Sequence, residues 1–214
     1  VVHKLTKHIY PEFHKKIPFN KSSKFIKVGF ISSFFCEHVV SKLFKNWIIK
    51  LNKNKFKTFV YHVGTEDDHV TGLIKKNCYS FFHKTNTYNV INQIISDQLD
   101  VLIFLDIGMV PKMQILGSLR LASIQCCTWG VPVTTGFKNM DYFLSGENME
   151  TDSSQEHYSE KLIKLPACSV DYDSPKKIDK GETIYKKEKK KVIFLSLQSN
   201  FKLLPQHDHI YFEI

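Results

Sequence analysis

Residues 100–106, Asp-Val-Leu-Ile-Phe-Leu-Asp, form the strongest predicted buried strand of the chain. An unbroken apolar run of this length is typical of a strand buried on both faces, as the strands of parallel sheets are. Further strands are predicted at 26–33, 56–63, 78–83, 123–129 and 140–145. Helices are predicted from apolar spacing at 38–51, 87–98, 112–121 and 153–163. This alternation predicts an α/β domain over residues 25–170, with a parallel sheet covered by helices on both faces.

Three further segments flank this domain. Residues 1–24 mix Lys, His and aromatic residues with two prolines, and we interpret them as a basic tether. Residues 171–191 include a lysine-rich run and predict a linker. We expect its part 175–191 to be exposed and poorly ordered, because it has too few apolar residues to offset the entropy cost of ordering. Residues 192–197, Val-Ile-Phe-Leu-Ser-Leu, predict a new buried strand, so that 192–214 would begin a second domain.

The net charge is +9, and most of the excess lies in the two lysine-rich flanking segments. A sequence-independent nucleic-acid binder is the alternative that composition alone suggests. Specific nucleic-acid recognition is disfavoured because Arg120 is the only arginine, and its bidentate fork is what such recognition usually employs. The five cysteines include no Cys-x-x-Cys pair, so neither zinc nor a disulfide framework is predicted. We expect a reducing, cytoplasmic location, and no apolar window is long enough to span a membrane.

Small and polar residues follow three of the predicted strands. They are Ser32-Ser33, the stretch Asp106-Ile107-Gly108, and the loop 130–136, Gly-Val-Pro-Val-Thr-Thr-Gly. Ligands of open parallel sheets bind at these carboxyl ends. Glycines allow close approach of a ligand, and threonine hydroxyls can bond sugar or phosphate oxygens. The residues themselves leave open whether loop 130–136 is a ligand site or only a turn between strands.

Several strings occur in the same order in a known family of enzymes. They are Val28-Gly-Phe-Ile-Ser-Ser33 with His38, Arg120-Leu-Ala-Ser-Ile-Gln125, the loop 130–136, Met140-Asp-Tyr142, Tyr158-Ser-Glu-Lys-Leu162 with Leu165-Pro166, and Gln198-Ser-Asn-Phe-Lys202. Together they resemble the catalytic region of the O-GlcNAc-transferase family, in its bacterial-type form. The match runs from about residue 26 to residue 206.

The resemblance implies two Rossmann-like lobes, of which 25–170 is the first and 192–214 begins the donor-binding second. It implies inverting, metal-independent transfer of a sugar, usually N-acetylglucosamine from its uridine diphosphate, to Ser or Thr of proteins. No cofactor is implied beyond the nucleotide-sugar substrate. His38 matches a cleft histidine once proposed as a base, and Lys202 matches the lysine beside the diphosphate leaving group. Gly130, Pro132, Thr134, Thr135 and Gln198 match donor or sugar contacts.

The chain departs from the family pattern at three positions, where Phe34 replaces an aspartate, Val131 a histidine and Ser123 a proline. Two alternatives therefore stay open: a transferase with another sugar or acceptor, such as an asparagine glucosyltransferase, and a non-catalytic binding module. The family's uridine-binding residues lie beyond Pro205, so we expect residues 1–214 to be inactive alone. Any tetratricopeptide array is expected upstream of Val1.

Overall fold

A seven-stranded sheet, parallel throughout, forms the centre of the first of two compact units, Val1–Ser174 and Pro175–Ile214. The structure is a computed structural model, and it describes residues 1–19, 23–173, 192, 194–199 and 202–213. The strands are β1 (Ile26–Ser32), β2 (Phe56–His62), β3 (Ser80–His83), β4 (Val101–Phe104), β5 (Ile124–Thr128), β6 (Tyr142–Gly146) and β7 (Lys161–Leu165). Their order is β3-β2-β1-β4-β5-β6-β7. The predicted α/β fold is therefore confirmed.

Helices cover both faces of this sheet. They are α1 (Val2–Ile9), α2 (Val39–Ile49), α3 (His69–Asn77), α4 (Thr87–Asp97) and α5 (Pro111–Ser118). Alternate residues of the central strands enter two separate cores, because side chains of a strand point to opposite faces. Phe30 and Ile103 pack with α2 and α3, whereas Ile31 and Phe104 pack with α4 and α5.

The sequence analysis missed α3, which has few apolar residues. Its signal is polar: the carboxylate of Asp68 accepts hydrogen bonds from the backbone of Val70 and Thr71, and the Thr71 hydroxyl accepts from the backbone of Asp68. This reciprocal capping satisfies amides that have no partner within the helix.

Residues 1–24 are not a simple tether. Val2–Ile9 forms α1, and a short 3₁₀ helix, Pro11–His14, follows it. The Thr6 hydroxyl lies 2.8 Å from that of Ser118 in α5, and the amide of Arg120 donates to the carbonyl of Phe13. These contacts with distant residues are polar, so apolar periodicity does not reveal them.

The predicted helix over residues 153–163 is wrong. The chain instead forms a 3₁₀ helix, Ser154–His157, and then strand β7, which pairs in parallel with β6 along its whole length. Hydrogen bonds to a neighbouring strand override the local helical spacing, as tertiary context often does.

The second unit is described only in part. It contains a 3₁₀ helix, Pro205–His207, and helix α6, Asp208–Phe212. The strand predicted at 192–197 is wrong for its described residues 192 and 194–197, which form no strand and are exposed. A buried parallel strand requires neighbouring strands, and the described residues of this unit include none. The expectation for 175–191 lies outside the described residues. Among the helices described, none is long and apolar enough to cross a bilayer.

Candidate active site

The carboxyl ends of β1, β4 and β5 lie side by side. Ile31 is opposite Phe104, and Phe104 is opposite Cys127, so the segments after these strands leave the sheet next to one another. The chain passes from β1 to β2 and β3 on one side, and β4 begins the other half of the sheet. The crevice between β1 and β4 is thus a topological switch point, where ligands of such sheets bind.

Asp106 lies at this switch point and is completely buried. Its Oδ2 atom accepts a hydrogen bond of 3.0 Å from the backbone amide of Ser33, which connects the ends of β4 and β1. Its Oδ1 atom has no hydrogen-bond partner among the described residues. Burial raises the pKa of this carboxyl to about 7, and the hydrogen bonds from Ser33 offset only part of that effect. A buried carboxyl with a free oxygen and such a pKa is suited to accept a proton at neutral pH.

Sequence reasoning singled out the stretch after β4 but did not choose Asp106 as a site residue. The available signal was an acidic residue directly after a fully apolar strand. That pattern shows the position of the carboxyl, whereas its pKa depends on residues that surround it in space.

His38 forms the N-cap of α2, at the end of the segment that follows β1. Its Nδ1 atom accepts a hydrogen bond from the backbone amide of Val40, and its ring stacks on Phe34 with centroids 4.1 Å apart. Burial lowers the pKa of His38 and favours the neutral ring. Phe34, where the family commonly has aspartate, thus places an aromatic face against the imidazole.

The loop after β5 begins and ends at glycine. A Cβ atom on Gly130 would lie 2.6 Å from the carbonyl oxygen of Leu105 and 3.0 Å from the ring of Phe44, so this position has no room for a side chain. Gly136 adopts φ +66°, a left-handed conformation that favours glycine. Pro132 is exposed between them. The predicted contacts of this loop with a sugar stay a prediction.

Thr134 and Thr135 are held by one carboxylate, that of Glu160. The Thr134 hydroxyl donates to its Oε2 atom at 2.7 Å, and the Thr135 backbone amide donates to Oε1 at 2.9 Å. The Thr135 hydroxyl also donates to Oε1. Both threonine hydroxyls that the sequence assigns to sugar binding therefore already have protein partners. Glu160, which is buried, was missed as a site residue although it lies in the quoted string 158–162.

A cleft of about 370 Å³ opens beside this loop. Its walls are Val131 and residues 133–137 of the loop region, Ile107 and Gly108 after β4, Gln114 of α5, and residues 1–3. Val131 approaches closely enough that a Cβ atom on Gly108 would lie 3.2 Å from its side chain. The cleft is thus lined both by residues that follow β4 and by residues that follow β5.

Three other residues of the family-like strings have a structural role. The guanidinium of Arg120 forms a bidentate ion pair with Asp141, with nitrogen–oxygen distances of 2.5 and 3.0 Å. Asp141 also accepts from the backbone amide of Gln125, and the Gln125 side chain bonds backbone groups at Leu119 and Asn139. These contacts join the end of α5 to the starts of β5 and β6. They lie at the amino ends of the strands, whereas the cleft lies beside the carboxyl ends.

Gln198 and Lys202 lie in the second unit, and both are exposed within it. The backbone amide of Lys202 donates to the carbonyl of Ser199 at 2.8 Å. Their predicted roles toward a sugar donor stay predictions. Within the described part of the chain, no group of three or more His, Cys, Asp or Glu side chains is arranged to hold a metal ion.

Comparison with known proteins gives consistent results. The model of glycosyl transferase family 41 matches residues 1–193. The chain is 26% identical over 159 residues to the Arabidopsis thaliana protein named "Probable UDP-N-acetylglucosamine--peptide N-acetylglucosaminyltransferase SPINDLY", covering 69% of this chain and 17% of that protein. It is 27% identical over 148 residues to a second Arabidopsis thaliana protein, which has the same enzyme name with the designation SEC. That match covers 68% of this chain and 15% of that protein. The chain thus spans about a sixth of the length of these relatives.

A solved structure shares the fold. It is a mutant O-GlcNAc transferase from Thermobaculum terrenum, with a TM-score of 0.68 and 16% sequence identity. The match covers 78% of this chain and 34% of that one.

Proposed function

The chain belongs to glycosyl transferase family 41, and on that premise we propose that it forms the acceptor-side lobe of a protein O-glycosyltransferase. The proposed reaction moves N-acetylglucosamine from its uridine diphosphate to Ser or Thr hydroxyls of proteins. The names of the two plant relatives support this donor and this acceptor class. The observation that carries the proposal is Asp106, a buried carboxyl with a pKa of about 7 and a free oxygen at the switch point.

In the proposed reaction, the acceptor hydroxyl oxygen forms a bond to the anomeric carbon as the bond from that carbon to the diphosphate oxygen breaks. Attack on the face opposite the leaving group inverts the configuration. The hydroxyl proton passes through water to the ionised Asp106, because that carboxyl is completely buried, and the electron pair of the broken bond leaves with the diphosphate. A base with a pKa near the working pH is the most effective for such a transfer.

His38 is proposed to orient a substrate rather than to remove its proton. Because Nδ1 accepts from the backbone, the neutral ring carries its proton on Nε2 and presents a donor. Lys202 is proposed to stabilise the charge that develops on the diphosphate, in a mechanism without a metal ion.

Transfer of radiolabelled N-acetylglucosamine from its uridine diphosphate to a Ser/Thr-rich peptide tests the proposal on the full-length protein. We expect labelled peptide to form, and to form equally when a chelator is present. Parallel reactions with uridine-diphosphoglucose and with asparagine-containing peptides test another sugar or acceptor. If no donor is consumed in any reaction, a binding module replaces the enzyme as the best interpretation.

A further inference from the structure

We propose that Glu160 is a positioning residue, whose carboxylate holds loop 130–136 in the shape that forms one wall of the cleft. The inference rests on the proposed function, because it assigns the loop a task in binding or transfer. Glu160 is not among the residues that line the cleft and therefore acts through Thr134 and Thr135.

The contacts converge on a single buried side chain. Each carboxylate oxygen of Glu160 accepts from a different threonine of the loop, and the Ser159 hydroxyl donates to Oε2 at 3.2 Å. The Thr134 hydroxyl in turn accepts from the backbone amide of Ser159 at 3.0 Å. Residues 159–160 precede β7, so these bonds connect the loop to the edge of the sheet.

Apolar burial contributes little to the shape of this loop. Val133 is 63% exposed, and Pro132 is exposed beside it. Ordering backbone costs about 1–2 kcal/mol per residue, and apolar burial at these exposed positions offsets little of it. Hydrogen bonds to an ionised acceptor are stronger than neutral ones, so the Glu160 carboxylate is well suited to hold this segment.

The position of the loop decides the width of the cleft. Val131 near its start approaches Gly108, and Thr134 and Thr135 line the same cleft. A shift of the threonines would move this wall relative to the end of β4. Displacements of about 1 Å in a substrate-binding wall can lower catalysis by about 10²-fold.

The carboxylate is ionised at neutral pH. Burial by itself raises the pKa of Glu160, but the hydrogen bonds from Thr135 and Thr134 outweigh burial and lower the pKa below its usual value. The three hydrogen bonds to the loop are therefore present under the conditions of the assay.

The test compares Glu160→Gln with Glu150→Gln in the full-length protein. Glu150 is a matched control, because its carboxylate accepts hydrogen bonds from Ser145 and Tyr158 in the same region but, among the described residues, none from the loop. We expect Glu160→Gln to lower kcat/KM about 10- to 100-fold, and Glu150→Gln to change it less than about threefold, after correction for the folded fraction. Similar kcat/KM values for the two variants would overturn the proposal, because they would indicate that Glu160 has a purely structural role.

A second readout follows the loop itself. Amide hydrogen exchange at Thr135 is expected to become at least about 10-fold faster in Glu160→Gln and to stay unchanged in Glu150→Gln. Unchanged exchange in Glu160→Gln would contradict the proposal. If the parent protein transfers no sugar, the proposed function fails, whereas the exchange measurement still decides whether Glu160 holds the loop.

Thr135→Val provides a cross-check. If the two residues act as one unit, the double variant with Glu160→Gln loses no more than about twofold beyond the worse single variant. Fully additive losses of kcat/KM in the double variant would show that Glu160 and Thr135 act independently.

Discussion

The Nδ1 atom of His38 lies 3.2 Å from the backbone nitrogen of Val40 and accepts its hydrogen. The same residue thus caps the start of α2, at the end of the segment that follows β1. In the neutral form that burial favours, only Nε2 carries a proton, so the ring can donate to a ligand from Nε2 but can accept a proton only at Nδ1, which would break the cap.

Substitution of His38 separates these two tasks. Asparagine is a favoured N-cap residue, so His38→Asn is expected to keep the free energy of unfolding within about 0.5 kcal/mol of the parent, whereas His38→Ala loses about 0.5–2 kcal/mol. Both variants are expected to lower kcat/KM about 10²-fold, because both lack the Nε2 donor. Urea unfolding and steady-state kinetics measure the two effects. Full activity in His38→Asn would show that the residue is only a cap.

Asp106 is expected to control the pH dependence of transfer. Because its pKa is about 7, kcat/KM should rise with pH through that value as the carboxyl ionises. Asp106→Asn is expected to lower kcat about 10²–10⁴-fold and to abolish this part of the profile. Persistence of the same pH dependence in the variant would assign it to another group.

The same carboxyl is expected to affect stability in the opposite sense from most acidic residues. Its pKa in the folded protein is raised from 3.8 to about 7, so the native state binds the proton more tightly than the unfolded state. Its contribution to stability is present below pH 4 and is lost as pH rises through 7. Asp106→Asn should therefore gain stability relative to the parent at pH 8 and little at pH 4. Urea unfolding at both values measures this difference, and a larger gain at pH 4 would contradict the raised pKa.

Lys202 is expected to act mainly on the chemical step. Charge on the diphosphate is greater in the transition state than in the bound donor, so a cation there raises kcat more than it tightens binding. Lys202→Ala should lower kcat about 10²–10³-fold with a smaller change in donor KM. Lys202→Arg should not restore full activity, since a planar fork does not replace a compact ammonium. Lys76→Ala, at an exposed lysine of α3, is the control. Equal kcat values for all three would refute the assigned role.

Arg120 is expected to matter for folding rather than for chemistry. It is buried and forms a bidentate pair with Asp141, whose side chain is 32% exposed. Arg120→Ala leaves that carboxylate without its charge partner and should lower the free energy of unfolding by about 3 kcal/mol. Activity per folded molecule should stay within about threefold of the parent. A large loss of kcat in molecules that remain folded would mean that Arg120 also reaches the site.

Strands were predicted best where the residues leave no alternative. The runs at β1, β2 and β4 are largely apolar, as strands buried on both faces are, and their parallel pairing agrees with the helices between them. Prediction failed at residues 153–163, where pairing with β6 decides the structure. It also failed at residues 1–24, where Thr6 of α1 contacts Ser118 and Phe13 of the 3₁₀ helix accepts a hydrogen bond from Arg120. Local spacing contains no information on either neighbour.

The candidate site shows the same difference between features that local sequence sets and features that distant neighbours set. The alternation of strands and helices, and the order of strings typical of the family, can be recognised in the amino-acid sequence alone. The roles of individual residues depend on the folded structure: Arg120 and Asp141 pair away from the cleft, Glu160 holds two threonines, and one oxygen of Asp106 has no hydrogen-bond partner among the described residues. Secondary structure depends on the pattern of neighbouring residues, whereas a pKa or a hydrogen-bond partner depends on groups that only folding brings together.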